Sequence, residues 1–264
     1  MKYLFPLFII LIFFACEGDS PEGIIDVEVI PITTPITTGG VFDNPTVTLS
    51  WEGNEYANAY SYRLESLSYT DPIDTYTDWS NWDSLQTITL NYMDDGFYNF
   101  YIKSRFAIDL EETPIVISFE VDAITGPALR VYPLYQQVKT GESCDFYIYV
   151  EDADSLAGIE LNLTYSSVLL TFNSLTQGAS LSNASIFLDE TSTSEGIGAI
   201  DIIAITGDFS SFSGTESLAK FTVTANQSAQ VGTVTINTTS ILRNSNNDEI
   251  VINGIFNGII EIVQ

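Results

Sequence analysis

Residues 152–172 read "DADSLAGIELNLTYSSVLLTF", and the middle of this stretch decides the fold. From Gly158 to Tyr165 apolar and polar residues alternate. Ile159, Leu161, Leu163 and Tyr165 fall on one side, and Gly158, Glu160, Asn162 and Thr164 on the other. A period of two is the mark of a half-buried strand. "DADSL" reads as a loop before that strand, Ser166–Ser167 as a polar turn after it, and "VLLTF" as a further short strand. The inward set belongs to a core. The outward set is either a wet sheet face, as antiparallel sheets often have, or a surface that another protein reads.

The same grammar extends in both directions. Short alternating runs are separated by Gly, Asn, Asp and Ser clusters, and no stretch shows a 3.6-residue period. The fold class is therefore all-β, with two sandwiches in series. We place the first at residues 25–122, a linker at 123–127 containing "ITGP", and the second at residues 128–264. In the first, "IIDVEVI" is a candidate opening strand. Val47, Leu49 and Trp51, then Tyr60, Tyr62 and Leu64, then Tyr98, Phe100 and Ile102, then Val116, Phe119 and Val121 supply apolar positions. In the second, nine strands are marked: "ALRVYPL", "CDFYIYVE", "GIELNLTY", "VLLTF", "AIDIIAIT", "SLAKFTVTA", "GTVTINTTSI", "EIVI" and "NGIIEIV". Nine short strands suit a jelly roll. So short a linker predicts domains held close but not fused.

Composition removes several kinds of chemistry. The 264 residues carry 8 Lys+Arg against 35 Asp+Glu, a net charge of −27, which repels phosphate backbones and excludes nucleic acid as a partner. There is no histidine, so Ser–His–Asp and Cys–His catalysis and most zinc sites are excluded. The acidic pairs Asp94–Asp95 and Asp152–Asp154 stand in predicted loops without acid–base partners. There is no Gly-rich phosphate cradle, and a carboxylate-only glycosidase needs a deeper cleft than two small sandwiches offer. The chain is expected not to be an enzyme and to need no cofactor.

At the N-terminus, Lys2 precedes an apolar run of 13 residues, Tyr3 to Ala15, too short to span a bilayer as a helix. Cys16 follows and the chain turns polar at once. This resembles a bacterial lipoprotein signal, with Phe13 where leucine is usual. The resemblance implies a signal at 1–15, lipid on Cys16, a tether at 16–24, and a chain exported and anchored in the bacterial cell envelope, at the outer membrane. The alternative is an ordinary secretory signal that carries a cysteine. With Cys16 lipidated, Cys144 has no partner and reads as a small strand residue.

"YTDWSNWDS" places Trp79 and Trp82 three apart. Exposed indoles can stack on sugar rings. Packing is the simpler reading, since in a strand residues three apart face opposite ways. "RNSNNDEI" hints at a calcium loop but fails as an EF-hand, with Glu249 at the turn-glycine position and Ile255 at the bidentate acid. It reads as a tight polar turn.

Leu90, Asp95–Gly96 and Tyr98 resemble the corner of a fibronectin type III-like sandwich, in which a tyrosine hydroxyl bonds back to the turn before its strand. With the Trp51 strand and the Trp79/Trp82 pair, the first domain is similar to that family and to the related domain of bacterial sensor proteins.

The second domain resembles a cohesin domain, the receptor half of the cohesin–dockerin pair. The features run in order: "VYPL", the glycine before "CDFYIYV", "DADSLAGIELNLTY", "VLLTF", "SLAKFTVTA" and "ILRNSNNDEIVINGIFNGIIEIV". Ser166–Ser167 replaces the family's usual Asp-Pro. The resemblance implies a dockerin-containing partner that sits on one sheet face, with calcium, if any, on the dockerin. No dockerin loops occur in this sequence, so the dockerin is expected on another protein. Glu160, Asn162 and Thr164 match one contact strand and "GAIDIIAITGD" another. If Ile200, Ile202 and Ala204 fill the core, then Asp201, Ile203, Ile205 and Thr206 join the face. The opposite parity would bury Ile203 and Ile205. Two other functions stay open: a carbohydrate-binding or adhesive surface protein using Trp79 and Trp82 on a polysaccharide, and a structural spacer without a ligand.

Overall fold

The computed structural model describes residues 30–67, 78–106, 110–206, 211–227 and 229–264. The predicted signal, Cys16, the tether and all of the "IIDVEVI" strand but Ile30 lie outside the described residues.

Two β-sandwiches follow one another, as the alternation predicts. The first packs a three-stranded sheet (Thr33–Pro35, Val47–Gly53, Thr87–Leu90) against a sheet built on Ala59–Ser66, Gly96–Phe106 and Ile115–Val121. Val47, Leu49, Trp51, Phe100 and Ile102 are fully or almost fully buried between them. One strand runs with the opposite parity to that expected. Ile117, Phe119 and Val121 point inward, so Val116 faces solvent. The Tyr98 hydroxyl donates to the Asp94 carbonyl at 2.7 Å, closing the predicted corner.

The second sandwich is organised by one strand, Ser143–Ser166. Sequence reading divides this stretch into two strands with a loop at "DADSL". The structure makes it continuous, with register shifts between Val150 and Ala153 and between Ala153 and Leu156. Asp152 and Ser155 take positive φ, 48° and 55°, at these bulges. Short polar residues tolerate that conformation best among the non-glycine types. Their backbone N–H groups donate to Thr215 Oγ1 and Ser213 Oγ, so the bulges keep their hydrogen bonds. The bulges let the strand pass from one layer to the other. Its first part pairs with Phe212–Ala225 and with Ala128–Tyr132. Its second part pairs with Ile197–Thr206, Ile241–Asn244 and Gln230–Ile236. The jelly roll's two layers therefore share a strand, and Phe146, Ile148, Leu161, Ile200, Ile202, Phe221 and Ile260 fill the space between them. Each fully buried aliphatic chain contributes roughly 1.5–3 kcal/mol of apolar transfer. Two strands escape the sequence reading, Tyr135–Lys139 and Ala184–Ser194.

The two sandwiches meet over an ion cluster rather than a bare linker. Arg130 is fully buried. Its Nη1 donates to Asp94 Oδ1 at 3.1 Å and its Nε to Glu151 Oε1, and its guanidinium lies over the rings of Tyr149 and Tyr132 at 4.8 and 5.2 Å. Asp94 also accepts from the Leu134 N–H at 3.1 Å, and Glu151 from the Thr215 hydroxyl at 2.6 Å. Asp95 accepts from the Ala123 and Ile124 N–H groups and so holds the linker's first residues. Asp94 and Asp95, read from sequence as loop acids without partners, are the first domain's half of this junction. Burial, opposed by Arg130, raises the Asp94 carboxyl to about 7.

Candidate functional site

The strand Gly158–Ser166 segment and its antiparallel neighbour set the register of the outer face. Gly158 lies opposite Ile205, Glu160 opposite Ile203, and Asn162 opposite Asp201. On the far side Ile203 pairs with Leu188 and Asp201 with Glu190. On the near side Gly158 pairs with Arg243 and Glu160 with Ile241. Three rows of side chains result: Arg243–Gly158–Ile205, Ile241–Glu160–Ile203–Leu188, and Asn162–Asp201–Glu190.

Parity follows from burial. Ile159, Leu161, Leu163 and Tyr165 are buried, as are Ile200, Ile202 and Ala204. Ile203, Ile205 and Leu188 are left 45%, 47% and 61% exposed. Three large apolar side chains in contact with water on adjoining strands form a patch that the core does not explain. Around it the polar residues are organised. Asn162 Nδ2 donates to Asp201 Oδ1 at 2.8 Å, and the Thr239 hydroxyl donates to Asn162 Oδ1 at 2.8 Å. Glu160 is exposed beside Ile203.

The structure thus brings Glu160, Asn162, Asp201, Ile203 and Ile205 onto one face. Thr164 sits at its margin, half-buried, its hydroxyl 3.4 Å from Asn237 Oδ1. Thr206 is turned to the sheet, donating to the Ala157 carbonyl at 3.1 Å. Three members of the face were not foreseen. Leu188 lies on the unpredicted strand, and Ile241 and Arg243 stand just before the "NSNNDE" turn. With Gly158, Ile203 and Ile205 they enclose an open groove of about 500 Å³. The turn itself closes tightly, Asn244 N–H to Asp248 O at 2.9 Å, with Asn244 Oδ1 accepting from the Asn246 and Asp248 N–H groups.

Trp79 and Trp82 lie on the other domain. The strand parity rule fails for them because 78–82 is not a strand; an isolated bridge joins Tyr60 to Asp83 just beyond. Both half-buried indoles reach the same row of cations. Arg63 and Lys103 lie 5.1 and 4.8 Å from the Trp79 ring, and Lys103 and Arg105 lie 5.1 and 4.4 Å from the Trp82 ring. A ring face taken by a cation is a face on which a sugar cannot stack. Cys144 is a free, partly buried thiol whose pKa burial pushes up to about 12, so it is unreactive.

A search of curated proteins found no match to this chain. Solved structures with similar folds are cohesins. The non-cellulosomal cohesin of Archaeoglobus fulgidus is 18% identical, with a TM-score of 0.43 over 52% of this chain and 91% of its own. The sixth cohesin of scaffoldin B from Acetivibrio cellulolyticus, solved with a Cel5 dockerin, is 16% identical, with a TM-score of 0.45 over 52% of this chain and 99% of its own. A Clostridium acetobutylicum cohesin is 17% identical, with a TM-score of 0.45 over 52% of this chain and 91% of its own. The family model described as "Cohesin domain" matches residues 135–262. Residues 135–262 of this chain, which include every residue of the three-row face, are a cohesin domain.

Proposed function

We propose that the chain is a non-catalytic receptor whose cohesin domain captures a dockerin-bearing protein on the Glu160–Ile203 face. The observation that carries this is the row of Ile203, Ile205 and Leu188, exposed on a sheet face of a cohesin domain and ringed by Glu160, Asn162 and Asp201. Apolar centres with polar rims are the usual anatomy of protein interfaces. The first sandwich then serves as a spacer, and lipid on Cys16 holds the chain at the bacterial outer membrane. The partner's dockerin supplies the calcium.

Titration calorimetry of the full chain against calcium-loaded dockerin modules from the same genome tests the reading. We expect at least one to bind, to release on chelation of calcium, and to lose about tenfold or more in affinity with Ile203→Asp. Absence of binding by every module, or binding indifferent to Ile203→Asp and Glu160→Lys, refutes it. Anchoring is tested separately. Labelled palmitate is expected to enter the wild type and not Cys16→Ser.

A further inference from the structure

The outer face is electrically polarised along its strands. At one end stands Arg243, half-buried in the groove wall. Its guanidinium donates to the Asn247 carbonyl at 3.0 Å and forms no ion pair among the described residues. At the other end stand Asp201 and Glu190, with Glu160 between. Cations are scarce in this chain, 8 against 35 acidic residues, so a lone arginine on this face is a distinguishing mark. Beside it the floor is Gly158. A methyl group added there would come no nearer than 3.7 Å to its neighbours, so the space above it is open. Ile205 and Ile241 flank that space with apolar surface.

We infer that this face takes a partner helix lying along its strands in one orientation only, with a carboxylate over Arg243 and a lysine or arginine over Asp201 and Glu190. The inference rests on the dockerin reading and adds the chemistry that selects among dockerins. Four residues separate the Gly158 row from the Asn162 row, about 13 Å at the strand rise. A helix covers that distance in about nine residues. The partner is therefore an amphipathic helix with an acidic residue at one position, apolar residues one turn later against Ile205 and Ile203, and a basic residue about two turns on. Reversing the helix sets acid against Asp201 and base against Arg243, and like charges in contact are strongly disfavoured.

The experiment is a selection on the full chain from a display library built on a calcium-loaded dockerin scaffold, its helix surface randomised. Expected binders carry Asp or Glu at one position and Lys or Arg seven to nine residues away. A binder selected on the wild type loses about 30-fold or more on Arg243→Glu. Exchanging its acid for lysine restores binding to that variant, which also shows that the variant folds. Binders without charge order, or equal binding to Arg243→Glu within about twofold, overturn the polarity while leaving the dockerin reading intact. Failure to enrich any dockerin variant, or enrichment of binders indifferent to both Ile203→Asp and Arg243→Glu, overturns both.

Discussion

Asp94 in the first sandwich and Arg130 in the second are joined side chain to side chain at 3.1 Å, and both are buried. The bond spans the linker, and Glu151 completes the cluster on the guanidinium's other side. Removing the cation would leave two buried carboxylates facing each other. We expect Arg130→Met to destabilise the chain by about 3–5 kcal/mol in urea unfolding. Replacing Asp94 and Glu151 with apolar residues of similar size in the same variant should recover most of that. A loss below about 1 kcal/mol for Arg130→Met would show that the cluster does not bind the domains together.

The same cluster makes stability depend on pH. Burial raises the Asp94 carboxyl from 3.8 to about 7 in the folded chain. The folded state therefore binds a proton that the unfolded chain has lost between about pH 4 and pH 7. The stabilisation by that proton is present at low pH and fades as pH rises through 7. Relative to Asp94→Asn, the wild type is expected to lose stability steadily across this window, read as the difference in urea midpoints. Arg130, Glu151 and Asp95 all act on Asp94, so only the difference between the two proteins isolates it. A flat difference from pH 4 to pH 8 contradicts the assignment.

Gly198 lies opposite Tyr165, whose ring covers it. A Cβ built at Gly198 would come within 2.1–2.5 Å of the ring atoms. We expect Gly198→Ala to cost about 1–3 kcal/mol. Tyr165→Leu in the same chain should reduce that penalty, because a smaller side chain frees the space. Thermal unfolding of the single and double variants makes the comparison.

What could be read from the sequence and what could not divide along physical lines. The alternation from Gly158 to Tyr165 was legible because each inward residue is apolar and each outward one is polar or small, so the pattern states both the element and its buried side. Ile203 and Ile205 were ambiguous because "AIDIIAI" is apolar on both sides, and only the packing of Ile200, Ile202 and Ala204 decides the parity. "DADSL" was misread because bulge residues are the same short polar residues that build loops. Leu188 was missed because its strand, "SIFLDETSTS", is an exposed edge with polar neighbours. Arg130 and Asp94 are 36 residues apart, and no local pattern links them. The two tryptophans followed no strand rule because their segment is not a strand.

Lys103 stands over both Trp79 and Trp82, 4.8 and 5.1 Å from the ring centres. We expect Lys103→Ala to change tryptophan emission and to increase quenching by iodide, with a stability loss of about 1 kcal/mol. If the indoles are instead free to receive sugars, Lys103→Ala will leave emission unchanged and soluble glycans will quench the wild type.

Positions on the two sides of the face should respond oppositely. Leu161 is fully buried, and Leu161→Ala is expected to cost about 2–5 kcal/mol. Ile203, on the neighbouring strand, is expected to tolerate Thr within about 0.5 kcal/mol, because its side chain already meets water. Equal losses at the two sites, measured in urea, would mean that Ile203 is part of the core.

The strand Ser143–Ser166 has a mechanical consequence. It carries Glu151 of the domain junction near one end and Glu160 and Asn162 of the outer face near the other, with no loop between them. The strand just after the linker, Ala128–Tyr132, lies antiparallel along its Tyr147–Glu151 stretch. A pull on the outer face is therefore handed to the linker by a set of backbone hydrogen bonds loaded in shear, all at once, rather than opened one by one as in a zipper.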